Sequence, residues 1–272
     1  RIIFAEADQI DVLKAAQIVH EEGIGFPILL GNQEIIKELK AEIGFDTEVP
    51  IFDPKTKESE AKRFEYANHF WETRKRKGIT LLDAEKWMRE RNYFGLMMVN
   101  TGEADAMVTG YSRSYPTTIK PVMQLIDKAP GVSKIATTNM MMTARGPIFL
   151  SDTAINPNPS ADDLARIALM TAKTVRMFGM EPVIAMVSYS NFGSSHNEGP
   201  SKISQAVAYL HENFPDLIVD GEIQTDFALN SDMLKSKFPF SKLVNKKVNT
   251  LIFPNLDAAN ITYKLLKELN KA

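Results

Sequence analysis

Short apolar runs rich in β-branched residues alternate with longer segments of helical period from one end of the chain to the other. RIIFA is followed by a helical pattern near residues 11–22, PILLG by one near 33–42, and VPIFD by a long one near 58–76. The alternation predicts βα units around largely parallel sheets, because parallel neighbours need a crossover and a helix is the usual one. In the third helix Phe64, Tyr66, Phe70 and Trp71 are expected on one side, with the charged residues in water. A further helix near 81–99 leads into ADAMVTG, read as a buried strand ending at Gly110. After KAPGVS the texture changes: KIATTNMMMT and GPIFLSD read as adjacent strands, a hairpin around ARGP, with the NMMMT methionines in the core. The alternation then resumes. A helix over 160–178 has Ser160 as its N-cap, with Asp162 and Asp163 beside its positive end. PVIAMVS is a strand, 201–213 a helix, LIVDG and VNTLIFP are strands, and AANITYKLLKEL is a closing helix. The fold class is therefore α/β, two subdomains with mostly parallel sheets, residues 1–130 and 131–272.

With 272 residues and 44% of them hydrophobic, the chain can bury cores of this size. A net charge of −2 with both signs spread along the chain lacks the basic surplus of a phosphate-backbone reader, so no nucleic acid partner is expected. The absence of cysteine excludes a disulfide scaffold, a thiolate metal site and a cysteine nucleophile, and fits a cytoplasmic location. His20, His69, His196 and His211 show no HExxH-type spacing, so no metal site is expected. No apolar run approaches the roughly 20 residues of a membrane span, and no signal-peptide pattern opens the chain. A core strand at residue 1, without an initiator Met, reads as the start of a piece of a longer protein.

In α/β sheets ligands bind beyond the carboxyl ends of strands, where helix N-termini and loop amides converge. Four segments occupy that position. TGYSRSYPTTIKP follows ADAMV, with hydroxyls at Ser112, Ser114, Thr117 and Thr118 and positive charge at Arg113 and Lys120. VSYSNFGSS follows PVIAM, with Ser188, Ser190, Asn191, Ser194 and Ser195 as donors and Gly193 permitting close backbone approach. DGEIQTDFA carries Asp220, Glu222, Gln224 and Asp226; PNLDAANITYK carries Asn255, Asp257 and Asn260. Such loops suit phosphate or acyl oxygens, yet Ser and Asn also satisfy backbone groups in ordinary polar turns. DGEIQTDFA equally reads as a solvated turn with a helix cap, and RKRKG as a solvated helix end. No GxGxxG, GxxxxGK[ST] or GxSxG occurs, so dinucleotide, P-loop and esterase readings lack their motifs.

Taken together, RKRKGITLLDA, GEADAMVTG, TTIKPVMQLI, IFLSDTAINPNPSADDLARIALMTAKTV, VSYSNFGSS, DGEIQTDFAL and IFPNLDAANITYKLL resemble the phosphate acetyltransferase (phosphotransacetylase) family. They are more similar still to the related C-terminal domain of multidomain NADP-dependent malic enzymes, and they follow family order along the whole chain. SNFGSS, in place of a loop like S-T-K-G-S-A, and MVTGYSRSY, in place of G-A-x-H-S, look like the malic-enzyme branch. The resemblance implies isocitrate-dehydrogenase-like α/β domains with a cleft between them, binding acetyl-CoA or coenzyme A, and a homodimer through the second domain. In the acetyltransferases the thiolate of coenzyme A attacks acetyl phosphate, arginines bind the phosphates, and an Asp in the C-terminal tail is the proposed base. Arg74 matches the arginine of the family's R-K-x-K-G, whereas Lys120 stands where the family usually has Arg in T-x-R-P. A lysine there lacks the guanidinium fork for bidentate phosphate binding. The family's D-L-S-R-G segment, expected after the last helix, does not occur within residues 1–272. The ligand-binding set implied is Arg74, Ser112, Arg113, Lys120, Ser188, Ser190, Asn191, Gly193, Ser194, Ser195, Asp226 and Asn255, with no catalytic residue assigned. The resemblance thus implies a regulatory domain that binds acetyl-CoA as an effector. Its host would carry an N-terminal malic-enzyme domain that converts malate to pyruvate and CO₂ with NADP and a divalent metal, Mg or Mn, in a higher oligomer. The alternative is an active phosphate acetyl- or butyryltransferase.

Overall fold

In the computed structural model, which describes residues 1–130 and 132–270, the chain forms two units, Arg1–Asp127 and Lys128–Ala272. Gly131, the glycine of KAPGVS, lies outside the described residues, as do Lys271 and Ala272.

The first unit is built on β1 (Ile2–Phe4), β2 (Pro27–Leu30), β3 (Ile51–Phe52) and β4 (Ala106–Val108), all parallel and ordered β3-β2-β1-β4. Successive strand residues face opposite sides. Phe4 and Leu29 join Leu13 of α1 (Ile10–Glu21), Ile36 of α2 (Gln33–Ile43) and Phe45 on one face. Ile3, Ile28 and Leu30 join Tyr66 and Phe70 of α3 (Glu60–Arg74) and Phe94 and Met97 of α5 (Arg91–Asn100) on the other. α3 buries Arg63, Tyr66, Ala67 and Phe70, a stripe at helical spacing. Burying a phenyl ring like that of Phe70 contributes roughly 1.5–3 kcal/mol. Phe64, expected on the same side, is 56% exposed, because two residues before Tyr66 lies about 200° round the helix.

The single helix expected over 81–99 is two: α4 (Leu81–Trp87), opened by a Thr80–Asp83 capping box, and α5. Arg91 starts α5 with a fork onto Asp8, Nη1 to Oδ1 at 2.7 Å and Nη2 to Oδ2 at 2.8 Å. Gly95 lets α5 lie close on the sheet, since a Cβ there would be 2.9 Å from Leu30 Cδ1. Nor is ADAMV a buried strand: β4 is the sheet's edge, and Ala106 and Val108 are exposed. TGYSRSYPTTIKP is only partly loop, because α6 (Tyr115–Leu125) begins within it. Pro116 falls in its first turn, where backbone N–H groups have no helical partner.

The second unit's sheet is ordered β5-β6-β9-β7-β8, from β5 (Thr138–Thr143), β6 (Gly146–Ser151), β7 (Val183–Val187), β8 (Ile218–Ile223) and β9 (Thr250–Ile252). β5 and β6 are the expected antiparallel hairpin, and the remaining pairs are parallel. Of the three methionines placed in the core, only Met141 is buried; Met140 and Met142 point the other way on an edge strand and are exposed. α7 (Ala161–Met177) and α8 (Glu198–Asn213) pack Leu164, Ile167, Ile203 and Leu210 against Ile184, Met186, Val219 and Ile252. Ser160 caps α7 in a full capping box with Asp163. The opposite face carries α9 (Thr225–Leu229), α10 (Ser231–Lys237) and α11 (Leu256–Asn270), with Ala228, Leu234 and Ala259 against Leu150, Val187 and Leu251. No helix among the described residues is long and apolar enough to cross a membrane.

Candidate functional site

The chain runs from β1 through β2 to β3 on one side and returns to β4 on the other, so the first sheet reverses direction between β1 and β4. At such a switch point the strand ends leave a crevice that suits a ligand. Here it holds Glu6, which follows β1 and is 1% exposed. Its Oε1 accepts from the N–H groups of Gly110 at 2.7 Å and Tyr111 at 3.1 Å and from the Thr109 hydroxyl at 3.3 Å. Its Oε2 accepts from the N–H of Ser112 at 2.6 Å and from the Ser112 hydroxyl. Burial alone pushes the carboxyl up, but the bonds from Ser112, Gly110 and Tyr111 outweigh it and hold Glu6 below the usual carboxylate range. The loop after β4 is therefore an anion cradle, and the anion in it is the protein's own.

Three cations of the implied set belong to the same unit. Arg113, directly after the cradle, is exposed and has no hydrogen bond or ion pair among the described residues. Lys120 stands on α6 with Nζ 5.5 Å from the centre of the Trp87 ring. Arg74, at the end of α3, lines a cavity of ≈ 230 Å³ with His69, Lys77, Asn100 and Gln124.

In the second unit VSYSNFGSS leaves the end of β7 and wraps a second buried glutamate. Glu222, 1% exposed, accepts from Gly193 N–H at 2.5 Å and from the Ser190 hydroxyl at 3.1 Å. Gly193 has φ 88°, a conformation that glycine adopts without a steric penalty. Ser190 Oγ lies 2.9 Å from Ser194 Oγ and accepts from Ser195 N–H at 3.0 Å. Asn191 is bonded to Gln224, and Ser188 N–H donates to Ile223 O at 2.9 Å. DGEIQTDFA is thus no solvated turn at its start: Asp220 and Glu222 lie within β8 and are buried. Asp220 accepts from Ser241 Oγ at 2.7 Å and Lys242 N–H at 2.8 Å. Asp226 is exposed in the first turn of α9, and Asn255 caps α11, its Oδ1 accepting from Ala258 N–H at 2.9 Å.

A further buried carboxylate, Asp152, follows β6 and gathers Thr137, Ala154, Ile155 and Asn156 around itself. Glu6 and Asp152 are absent from the residues singled out in the sequence, and Glu222 is named there without its role, although each of the three organises a strand-end loop. Their signal is an acidic residue inside an apolar strand pattern, FAEA, FLSD and VDGEI, which requires donors nearby. Among the described residues no group of three or more His, Cys, Asp or Glu could hold a metal ion.

The family profile described as phosphate acetyl/butaryl transferase matches residues 1–272. The chain is 37% identical over 278 residues to the phosphate acetyltransferase of Acetivibrio thermocellus, spanning 100% of this chain and 82% of that protein. It is 35% identical over 269 residues to the NADP-dependent malic enzyme of Haemophilus influenzae, spanning 98% of this chain and 35% of that protein. Among solved structures, a phosphotransacetylase from Streptococcus pyogenes superposes with a TM-score of 0.87 at 36% identity, covering 99% of this chain and 82% of that one.

Proposed function

This chain belongs to the phosphate acetyl/butaryl transferase family, and on that premise we propose that it transfers an acyl group between an acyl phosphate and coenzyme A. The observation that carries the proposal is its similarity to a phosphate acetyltransferase along 82% of that protein's length. In the direction of thioester synthesis, the sulfur of coenzyme A attacks the acyl carbonyl carbon and a C–S bond forms. The C–O bond to the phosphoryl group then breaks, phosphate leaves, and the thiol proton passes to solvent or phosphate. Arg74, Arg113 and Lys120 supply the positive charge that a phosphoryl group needs, and positioning with charge stabilisation is the main demand of such a reaction. On the second unit Ser188, Asn191, Ser194, Ser195, Asp226 and Asn255 are the remaining proposed contacts, whereas Ser112, Ser190 and Gly193 give their donors to Glu6 and Glu222 and shape the loops. A homodimer through the second unit, as the resemblance to the family implies, belongs to the same proposal.

A second reading is favoured by the malic-enzyme relative, of which the chain matches 35%: an acetyl-CoA-binding regulatory domain beside a malic-enzyme domain that uses NADP and a divalent metal. Lys120, which cannot form the bidentate phosphate contact, also supports it. One assay separates the two. Mixing the chain with acetyl phosphate and coenzyme A should give acetyl-CoA at ordinary enzyme rates. Saturable acetyl-CoA binding without turnover would favour the regulatory reading, and neither binding nor turnover would sink both.

A further inference from the structure

Glu6 places its whole carboxylate on one short loop. Three consecutive N–H groups, those of Gly110, Tyr111 and Ser112, point at it, together with the hydroxyls of Thr109 and Ser112. Consecutive amides turned toward one point form a nest for an anion, and an empty nest repels itself. The one hydroxyl proton of Thr109 is shared between Glu6 and the nearer Asn92 Oδ1 at 2.8 Å, so the loop is anchored to α5 as well. Immediately beyond the nest come Arg113 and the first turn of α6, which carries Lys120 further along. A carboxylate seated at the switch point therefore fixes where these two cations begin.

We propose that Glu6 is a positioning residue for the phosphoryl-binding cations: by filling the nest of residues 109–112 it holds Arg113 and the start of α6 in the arrangement that binds an acyl phosphate. The second half of this proposal rests on the acyl-transfer reading above; the first half, that Glu6 orders the loop, does not. Glu222 gives an internal comparison, since it takes Gly193 N–H and the Ser190 hydroxyl in the same way on the other unit. Glutamine keeps the volume of Glu6 but turns an NH₂ donor toward donors. Aspartate keeps the charge but withdraws it by one methylene.

The test uses the whole chain with Glu6→Gln, Glu6→Asp and Glu222→Gln, reading amide hydrogen exchange residue by residue and steady-state kinetics with acetyl phosphate. Glu6→Gln should speed exchange at Gly110, Tyr111 and Ser112 at least tenfold while leaving Gly193 unchanged, and Glu222→Gln should do the reverse. Glu6→Gln should also raise KM for acetyl phosphate at least fivefold with a smaller change in kcat, and Glu6→Asp should recover part of both effects. Unchanged exchange at residues 110–112 in Glu6→Gln overturns the ordering role, whatever the kinetics. Faster exchange with an unchanged KM overturns the role in substrate binding. A wild-type chain with no turnover brings down the acyl-transfer reading and the KM half of the proposal together, and the exchange data then decide the ordering role alone.

Discussion

Asn191 and Gln224 clasp each other through two hydrogen bonds of 2.8 Å, Asn191 Nδ2 donating to Gln224 Oε1 and Gln224 N–H donating to Asn191 Oδ1. Gln224 Nε2 donates in turn to Tyr189 O at 2.7 Å, which fixes the orientation of its amide. The clasp ties VSYSNFGSS to the start of α9. Asn191→Ala removes both bonds and leaves Gln224 N–H without its acceptor, so stability should fall by about 1–3 kcal/mol. Urea denaturation checks this, and acetyl-CoA titration of the same variant should show weaker binding. An unchanged denaturation midpoint would mean that the loop is held without the clasp.

The side chains of Arg74 and Lys120 make no hydrogen bond or ion pair among the described residues, so removing either leaves no buried polar partner behind. Arg74→Ala and Lys120→Ala are expected to change stability by less than about 0.5 kcal/mol. Each should weaken acetyl-CoA binding by about tenfold, equivalent to about 1.4 kcal/mol. Lys120→Arg restores a bidentate fork and should tighten phosphoryl binding instead. Calorimetric titration decides, and unchanged affinity in both alanine variants would show that the phosphates are held elsewhere.

How legible a feature is in the chain depends on how local its cause is. The capping box at Ser160 and Asp163 sits three residues apart in one turn, and the alternation of β7, α8 and β8 is a pattern of neighbours, so both are legible from the chain. The break between α4 and α5 is less so, and the Arg91–Asp8 fork that fixes the start of α5 joins residues 83 apart. The exposure of Val108 follows from the edge position of β4, which only the strand order reveals. For the candidate site, Ser112 and Ser190 are legible as donors and Gly193 as a point of close backbone approach. Their acceptors are not, since Glu6 is 106 residues from Ser112 and Glu222 is 29 from Gly193.

Asp152 makes stability depend on pH. It accepts from Thr137 N–H at 3.0 Å, Thr137 Oγ1 at 2.6 Å, Ala154 N–H at 3.1 Å and Asn156 N–H at 2.8 Å. Burial pushes the carboxyl up, but those bonds outweigh it, so its pKa in the folded chain is lowered. A lowered folded pKa contributes stability that is complete above the unfolded value of about 3.9 and is lost as pH falls through the folded one. Asp152→Asn should therefore cost about 1–3 kcal/mol at pH 7. The gap between wild type and variant should narrow in acid. Urea midpoints at pH 7 and pH 3 measure it, and an equal gap at both would show that the charge of Asp152 contributes nothing.

Gly221 decides whether Glu222 reaches its loop at all. Between β7 and β8 the pairing steps from Met186 opposite Gly221 to Val187 opposite Ile223, so Glu222 is the extra residue of a bulge. Bulges re-aim side chains, and here the one re-aimed is the carboxylate that takes Gly193 N–H. Gly221 has φ 146°, and a Cβ on it would stand 2.4 Å from Met186 O and 2.9 Å from Met186 Cβ. The backbone at Met186 lies in a buried strand and cannot move aside cheaply. Gly221→Ala thus combines positive-φ backbone strain of roughly 1–3 kcal/mol with overpacking of about 1–3 kcal/mol. Thermal unfolding should show a loss of several degrees or more, and amide exchange at Gly193 should accelerate as Glu222 is displaced. A variant that keeps the wild-type melting temperature and Gly193 protection would mean that the bulge tolerates a side chain and that Glu222 is held by other contacts.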